Sequence, residues 1–247
     1  MLLAIHGLGS DRGSMRAYLE GAVPPGVQVL APDLRAHGAS PLVGEADDFA
    51  LEALAREVAD ELVRVGDGSP VTIVGVSLGA AIGATIARSG RFPLDRVAFV
   101  RPALTDRSLP EHLGVFPVIG RLLGERAPAR AWEELQRTGA WRAIAHVSPA
   151  HARGLELQLT QPRAAERRIR LLEAPRNAAY RPGELRLPVP SVVLASERDP
   201  IHPLHVAEAW RDELGAPMRV SPARDAGEEA MHAWFRQQLG SFLVGIR

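Results

Sequence analysis

The sequence predicts a domain of the α/β class, with a mainly parallel central sheet flanked by helices. Short apolar segments recur along the chain, and most of them are followed by a stretch with helical periodicity. Polar residues come directly after several of these apolar segments. Strands that alternate with helices form parallel sheets covered on both faces, and such sheets bind ligands beyond the carboxyl ends of their strands. The 247 residues suffice for one such domain with an insertion.

In chain order, the predicted elements are strand 2–5, helix 12–22, strand 27–31, helix 47–65, strand 71–76, helix 78–88, strand 96–100, strand 189–196, helix 203–214, strand 218–221 and helix 227–245. The strands are apolar runs rich in β-branched residues, of which VTIVGV at 71–76 is the clearest example. The helix that ends near residue 65 has apolar residues at helical spacing, and Asp47 or Asp48 is its expected N-cap. The apolar face of the last helix is formed by Met231, Phe235, Leu239 and Phe242.

One long segment interrupts the alternation of strands and helices. Residues 104–176 contain no clear strand, and their helical pieces are interrupted by prolines. Because a structureless loop of this length is improbable inside a compact domain, we expect a helical cap inserted between two strands. The core domain then consists of residues 1–103 and 177–247.

Composition excludes several classes of function. The chain has 29 basic and 29 acidic residues, so it carries no net charge that would favour nucleic acid or an anionic membrane. It contains no cysteine, which excludes disulfides and thiolate metal ligands. The N-terminal apolar run is too short for a signal peptide or a membrane span, and a cytoplasmic protein is therefore expected.

The segment GVSLG at 75–79 joins a predicted buried strand to a predicted helix of small residues. G-x-S-x-G in this position is the nucleophile elbow, a turn so tight that the serine has a strained backbone and its flanking glycines must lack Cβ. The turn exposes the Ser77 hydroxyl and directs the first N–H groups of the helix, including that of Leu78, toward a reacting carbonyl oxygen. Ser77 is thus the candidate nucleophile.

A serine nucleophile requires a base, and the base requires a carboxylate that orients it. Asp199 follows the predicted strand 189–196 and is the candidate acid, with Asp106, after the preceding strand, as the fallback. The base is expected after the last strand, which leaves His232. His202 and His205 lie so close to Asp199 in sequence that they are expected to cap the next helix or to line the mouth of the site.

The loop His6-Gly7-Leu8-Gly9 follows the first predicted strand. The Leu8 backbone N–H is a candidate second donor to the oxyanion. His6 is expected to fix this loop through hydrogen bonds rather than to act as the base.

The motifs HGLGS, APDLRAHGAS, GVSLGA and SERDPIHP, followed by a late histidine, resemble the α/β-hydrolase superfamily in their order and spacing. The resemblance covers residues 2 to about 240 and places 104–176 where the family has its variable cap. It implies the α/β-hydrolase fold and a cofactor-free, metal-free Ser77, Asp199, His232 triad. It also implies a Leu8/Leu78 oxyanion hole and structural roles for Asp33 and His37.

This chain departs from the family pattern at its start, because the family usually has a β-hairpin before the H-G strand. This departure from the family pattern predicts either a shortened variant or a late start codon. Strand 27–31 would then lie at the edge of the sheet, and an exposed edge invites pairing. A monomer or a homodimer is expected.

The favoured function is hydrolysis of small-molecule carboxylic esters through an acyl-serine. Cleavage of C–C bonds, thioesters or lactones by the same residues is an alternative, because the fold alone does not determine the chemistry. A catalytically inactive relative that binds a ligand or a protein is a further alternative. No nucleic-acid or membrane partner is expected.

Overall fold

A computed structural model describes residues 1–246 and contains one sheet of six strands. The strands are β1 (Leu2–Ile5), β2 (Val29–Leu30), β3 (Val71–Val76), β4 (Leu94–Val100), β5 (Ser191–Ser196) and β6 (Met218–Ser221). They lie in the order β2-β1-β3-β4-β5-β6, and every neighbouring pair is parallel. This confirms the predicted α/β fold with a parallel central sheet.

The α-helices are α1 (Arg16–Leu19), α2 (Leu51–Val65), α3 (Leu78–Arg88), α4 (Val115–Glu125), α5 (Pro128–Gln136), α6 (Gly139–Val147), α7 (Pro149–Gly154), α8 (Leu157–Thr160), α9 (Ile169–Glu173), α10 (Leu204–Leu214) and α11 (Glu228–Leu243). Short 3-10 helices cover Arg12–Met15, Ala46–Phe49, Glu111–Leu113, Glu166–Arg168, Ala174–Arg176 and Arg224–Ala226. Within residues 1–246, none of these helices has the length and apolar character that crossing a bilayer requires.

The helices predicted at 203–214 and 227–245 correspond closely to α10 and α11, whereas two other predicted helices differ more from the structure. The helix expected at 12–22 is a 3-10 turn followed by the single turn of α1. The helix expected from 47 begins at Leu51, because Ala50 is not helical (ψ 140°). Asp48 instead forms a capping box with Glu45 at the start of the preceding 3-10 helix. Asp48 therefore caps that 3-10 helix and not α2.

Strand β2 lies at the edge of the sheet, where the sequence places it, but it contains only two residues. Val29 pairs with Leu2 of β1 and is 43% exposed. Strands β3 and β4 lie in the middle of the sheet, so Ser77 follows one of its central strands.

Alternate residues of the strands bury their side chains in two apolar clusters, one on each face of the sheet. Ile5 and Phe99 pack in the cluster that also contains the apolar faces of α2, α3 and α10. Ala4 and Val100 pack in the second cluster with α1 and α11. The buried face of α11 is formed by Met231, Phe235, Leu239 and Leu243, so Leu243 takes the place predicted for Phe242.

The insertion segment, defined here as residues 104–176, contains α4 to α9 and no strand. Its buried side chains, among them Leu113, Phe116 and Ile119, belong to the same apolar cluster as Ile5 and Phe99. The segment is therefore packed onto the sheet domain through a shared core.

Candidate active site

Ser77 connects β3 to α3 in a strained turn, with φ 56° and ψ −115°. A Cβ on Gly75 would lie 2.3 Å from the Gly79 carbonyl oxygen, and a Cβ on Gly79 would lie 2.2 Å from the Ile5 carbonyl oxygen. Since backbone atoms cannot yield at such distances, both positions require glycine. The local sequence thus produces the sharp turn that the G-x-S-x-G pattern predicts.

The Ser77 hydroxyl contacts an imidazole that in turn contacts a carboxylate. Ser77 Oγ lies 2.9 Å from His202 Nε2, and His202 Nδ1 lies 2.9 Å from Asp199 Oδ2. The carboxylate can only accept, so Nδ1 carries the proton and Nε2 accepts from the serine hydroxyl. This is the order of groups that activates a serine nucleophile.

A closed turn after β5 brings His202 to Asp199. Asp199 Oδ1 accepts hydrogen bonds from the backbone N–H groups of Ile201 and His202, each at 3.0 Å. These bonds fold the backbone back on the carboxylate and bring the side chain three residues later beside it. The expectation that His202 is too close in sequence to serve Asp199 is therefore wrong in its geometry.

His232, the sequence-based candidate for the base, does not occupy this position. Its half-buried ring packs edge-on against Tyr18 of α1, with ring centroids 5.2 Å apart. The structure describes no hydrogen bond from His232 to either Ser77 or Asp199 within residues 1–246. The physical reason is that Met231 points into the apolar cluster beneath α11, and the helix turn then directs the next side chain toward α1.

Arg101 is a further member of the site and was not predicted from the sequence. Its Nε lies 2.8 Å and its Nη2 2.6 Å from Asp199 Oδ2. Its Nη1 donates to the Tyr18 hydroxyl at 3.3 Å. Arg101 follows β4 directly and has a positive φ of 48°, as Ser77 has after β3. Strained residues thus follow the ends of two adjacent strands at this site.

Burial and charge have opposing effects on the ionisable groups. Burial disfavours the Asp199 carboxylate, but Arg101 and His202 together hold the pKa of that carboxyl well below its usual range. Burial lowers the pKa of His202 to about 4; Asp199 opposes this shift and Arg101 adds to it. His202 is therefore a neutral acceptor at neutral pH.

The loop after β1 contains Leu8, whose backbone N–H is, with that of Leu78, a candidate donor to the oxyanion. Among residues 1–246, the Leu8 N–H donates to no acceptor, and Leu78 opens α3, where a helix leaves its first N–H groups unpaired. A Cβ on Gly7 would lie 3.1 Å from the Ser77 Cβ, so this loop packs against the serine.

His6 in HGLGS, and Asp33 and His37 in APDLRAHGAS, make hydrogen bonds to backbone groups of these two loops. His6 Nε2 accepts from the Leu34 N–H at 3.1 Å, and its Nδ1 lies 2.8 Å from the Gly7 carbonyl oxygen. Asp33 accepts from the Arg12 and Ala39 N–H groups. His37 is buried, with Nδ1 2.6 Å from the Arg35 carbonyl oxygen. These contacts agree with structural roles for His6, Asp33 and His37.

Asp106, the fallback acid, is exposed and lines the cleft described below; the carboxylate that His202 Nδ1 contacts is Asp199. Its charge adds to the effect of burial in raising the pKa of Tyr180 to about 12. The end of β4 contributes Arg101 to the site instead. A charged residue directly after an apolar strand, as in RVAFVR, is the signal that identifies Arg101 in the sequence.

A cleft of about 1060 Å³ separates the insertion segment from α10. Its lining is mostly apolar and includes Val115, Ile144 and Val206, together with the imidazoles of His112 and His205. Ser77 is not among the lining residues, but Pro203, the residue after His202, is. Within residues 1–246, no group of three or more His, Asp or Glu side chains is arranged to hold a metal ion.

Residues 2–238 match the family described as "Alpha/beta hydrolase family", and the chain belongs to that family. No curated protein matches its sequence. Solved structures agree with the fold. An alpha/beta hydrolase enzyme from a Medee basin deep-sea metagenome library is 16% identical with a TM-score of 0.74, covering 100% of this chain and 90% of the other.

Two further structures illustrate the range of activities on this fold. A thermophilic esterase from Thermogutta terrifontis, in a malate-bound form, is 20% identical with a TM-score of 0.72, covering 98% and 88% of the two chains. The bottromycin epimerase BotH, in complex with bottromycin A2, is 19% identical with a TM-score of 0.67, covering 97% and 89%. At these identities the likeness concerns the fold alone.

Proposed function

We propose that this protein is a serine hydrolase that cleaves carboxylic esters of small molecules, with Ser77, His202 and Asp199 as its catalytic residues. The proposal rests on one observation above all. Two hydrogen-bond distances of 2.9 Å link the hydroxyl of a strained strand-to-helix turn to an imidazole and the imidazole to a buried carboxylate.

In the first half-reaction, His202 Nε2 takes the proton of Ser77 as Oγ attacks the ester carbonyl carbon. The carbonyl oxygen gains negative charge and accepts hydrogen bonds from the Leu8 and Leu78 N–H groups. One such donor contributes about 3 kcal/mol to transition-state stabilisation. Collapse of the intermediate breaks the ester C–O bond, and the alcohol leaves with the proton from His202.

In the second half-reaction, His202 takes a proton from water, and the hydroxide attacks the acyl-serine carbonyl. The bond from the carbonyl carbon to Ser77 Oγ breaks, and His202 returns the proton to the serine. Asp199 keeps the His202 proton on Nδ1 throughout, so Nε2 is available as acceptor in each half.

The adjacent cleft suggests the kind of ester that is bound. The cleft lining is mostly apolar and includes Pro203, the residue after His202. We therefore assign the cleft to an apolar part of the substrate. Residues 104–176 act in this proposal as a cap over the site.

Labelling with a fluorophosphonate and turnover of p-nitrophenyl esters of increasing chain length test the proposal together. Wild-type protein should be labelled and should hydrolyse at least one of the esters, whereas Ser77→Ala should do neither. Hydrolysis by Ser77→Ala at the wild-type rate would refute the assignment of the nucleophile. A folded wild-type protein that is neither labelled nor active would instead favour the inactive ligand-binding alternative.

A further inference from the structure

We propose that His151 is a positioning residue of this site, which holds Arg101 against Asp199 and makes full activity depend on docking of the insertion segment. This inference rests on the proposed function. His151 lies on α7 of the insertion segment, and its side chain is almost completely buried. Its Nε2 lies 2.9 Å from Arg101 Nη2 and 3.2 Å from Asp199 Oδ1. Within residues 1–246, it is the only side chain of the insertion segment with a hydrogen bond or ion pair to either of these two groups.

The partners of His151 determine which of its nitrogens carries the proton. Nδ1 lies 2.8 Å from the buried Ser148 Oγ. Arg101 Nη2 can only donate, so its contact at 2.9 Å makes His151 Nε2 the acceptor; the proton is then on Nδ1, and Ser148 Oγ accepts it. A proton on Nε2 would instead face the N–H groups of Arg101 at 2.9 Å.

The hydrogen bond from Arg101 to His151 fixes the guanidinium in a specific orientation. The same Nη2 group lies 2.6 Å from Asp199 Oδ2, the oxygen that also accepts from His202 Nδ1. A rotation of the guanidinium would move its donors away from this oxygen. His151 therefore acts on the His202–Asp199 pair through Arg101 and through its own contact with Asp199 Oδ1.

The other end of this chain of contacts is anchored in the sheet domain. Asp225, in the connection between β6 and α11, accepts from the Ala150 N–H at 2.9 Å. Burial opposes ionisation of Asp225, but hydrogen bonds from Ser148 and Ala150 lower the pKa of its carboxyl. A continuous series of contacts thus runs from Asp225 through Ser148 and His151 to Arg101 and Asp199. The placement of α7 on the sheet domain is thereby coupled to the geometry of the site.

The test compares His151→Ala, His151→Gln and the matched control His146→Ala, which removes an exposed histidine of the same segment. We expect His151→Ala to lower kcat and the labelling rate of Ser77 by about tenfold, the value of one lost hydrogen bond. KM should change by less than kcat. Glutamine provides an acceptor oxygen for Arg101, so His151→Gln should recover most of the loss. His146→Ala should match wild type.

A wild-type labelling rate and kcat in folded His151→Ala, or a glutamine variant as impaired as the alanine variant, would overturn the inference while leaving the proposed function intact. Absence of labelling in wild type would overturn both. If His151→Ala does not fold, as judged by circular dichroism, Asp225→Ala against the exposed control Asp67→Ala decides the question. A lower labelling rate in Asp225→Ala alone supports the coupling, and equal rates refute it.

Discussion

A histidine follows β5 in the loop before α10, and another lies in α11 after β6, yet of these two only His202 contacts Ser77. After β5, Asp199 closes a turn with its own carboxylate and places His202 three residues later. After β6, the chain enters α11, and the direction of His232 follows from the face of the helix that must be buried. The turn at Asp199 thus brings His202 to the serine. The orientation of α11 directs His232 away from it.

The largest expected effect separates these two histidines directly. His202→Ala should lower kcat/KM for an activated ester by about 10⁴-fold or more, because the serine loses its base. His232→Ala should remain close to wild type. Kinetics of the two purified variants on the same p-nitrophenyl ester provide the comparison. A loss in His232→Ala as large as that in His202→Ala would contradict the geometry described above.

The second effect concerns the carboxylate that orients His202. Asp199→Asn should lower kcat by about 10³- to 10⁴-fold, since an amide can donate to Nδ1 and favour the wrong tautomer. The control is Asp106→Asn, which changes the fallback acid at an exposed position and should leave kcat unchanged. Steady-state kinetics decide between the two, and a reversed order of losses would show that Asp106 is the acid.

The third effect is a shift in pH dependence. In the proposed mechanism His202 is a base only when neutral, so activity should be present above its pKa and should be lost as the pH falls through that value. Because burial and Arg101 lower this pKa to about 4, the acid limb of kcat/KM should lie well below the ordinary histidine value of about 6.5.

Arg101→Gln removes a positive charge beside His202 and should move this limb to higher pH. The rate of fluorophosphonate labelling as a function of pH measures the acid limb of wild type and that of Arg101→Gln. Identical limbs near 6.5 in wild type and Arg101→Gln would mean that Arg101 does not influence the base.

The smallest expected effect is on stability. The His232 ring packs edge-on against Tyr18, so His232→Ala should lower the free energy of unfolding by about 1 kcal/mol. Urea denaturation measures the change, and the exposed His146→Ala is its control. Unchanged stability of His232→Ala would show that this contact contributes nothing to the fold.

Much of the site could be predicted because local rules determine it. The elbow at Ser77 follows from glycines that no other residue can replace, and Asp199 follows from its place after a buried strand. The sequence favours His232 because the usual chain order places the base after the last strand. That order carries no information about the direction in which a helical side chain points.

Arg101 and His151 were not predicted because their roles depend on partners that are distant in sequence. Arg101 reaches Asp199 only because β4 and β5 are neighbours in the sheet. His151 reaches Arg101 only because α7 packs onto the connection after β6, through Asp225. The charged residue after the apolar run RVAFV marks Arg101 as a candidate, but no local pattern indicates its partner Asp199, and none marks His151.

The sequence by itself determined the parallel sheet, the strained serine and the buried aspartate, since alternation of apolar residues and steric demands of the backbone act over a few residues. The tertiary structure alone decided which of the eight histidines approaches that serine. It also decided that Arg101 and His202 both contact Asp199, because packing selects hydrogen-bond partners that are far apart in the chain.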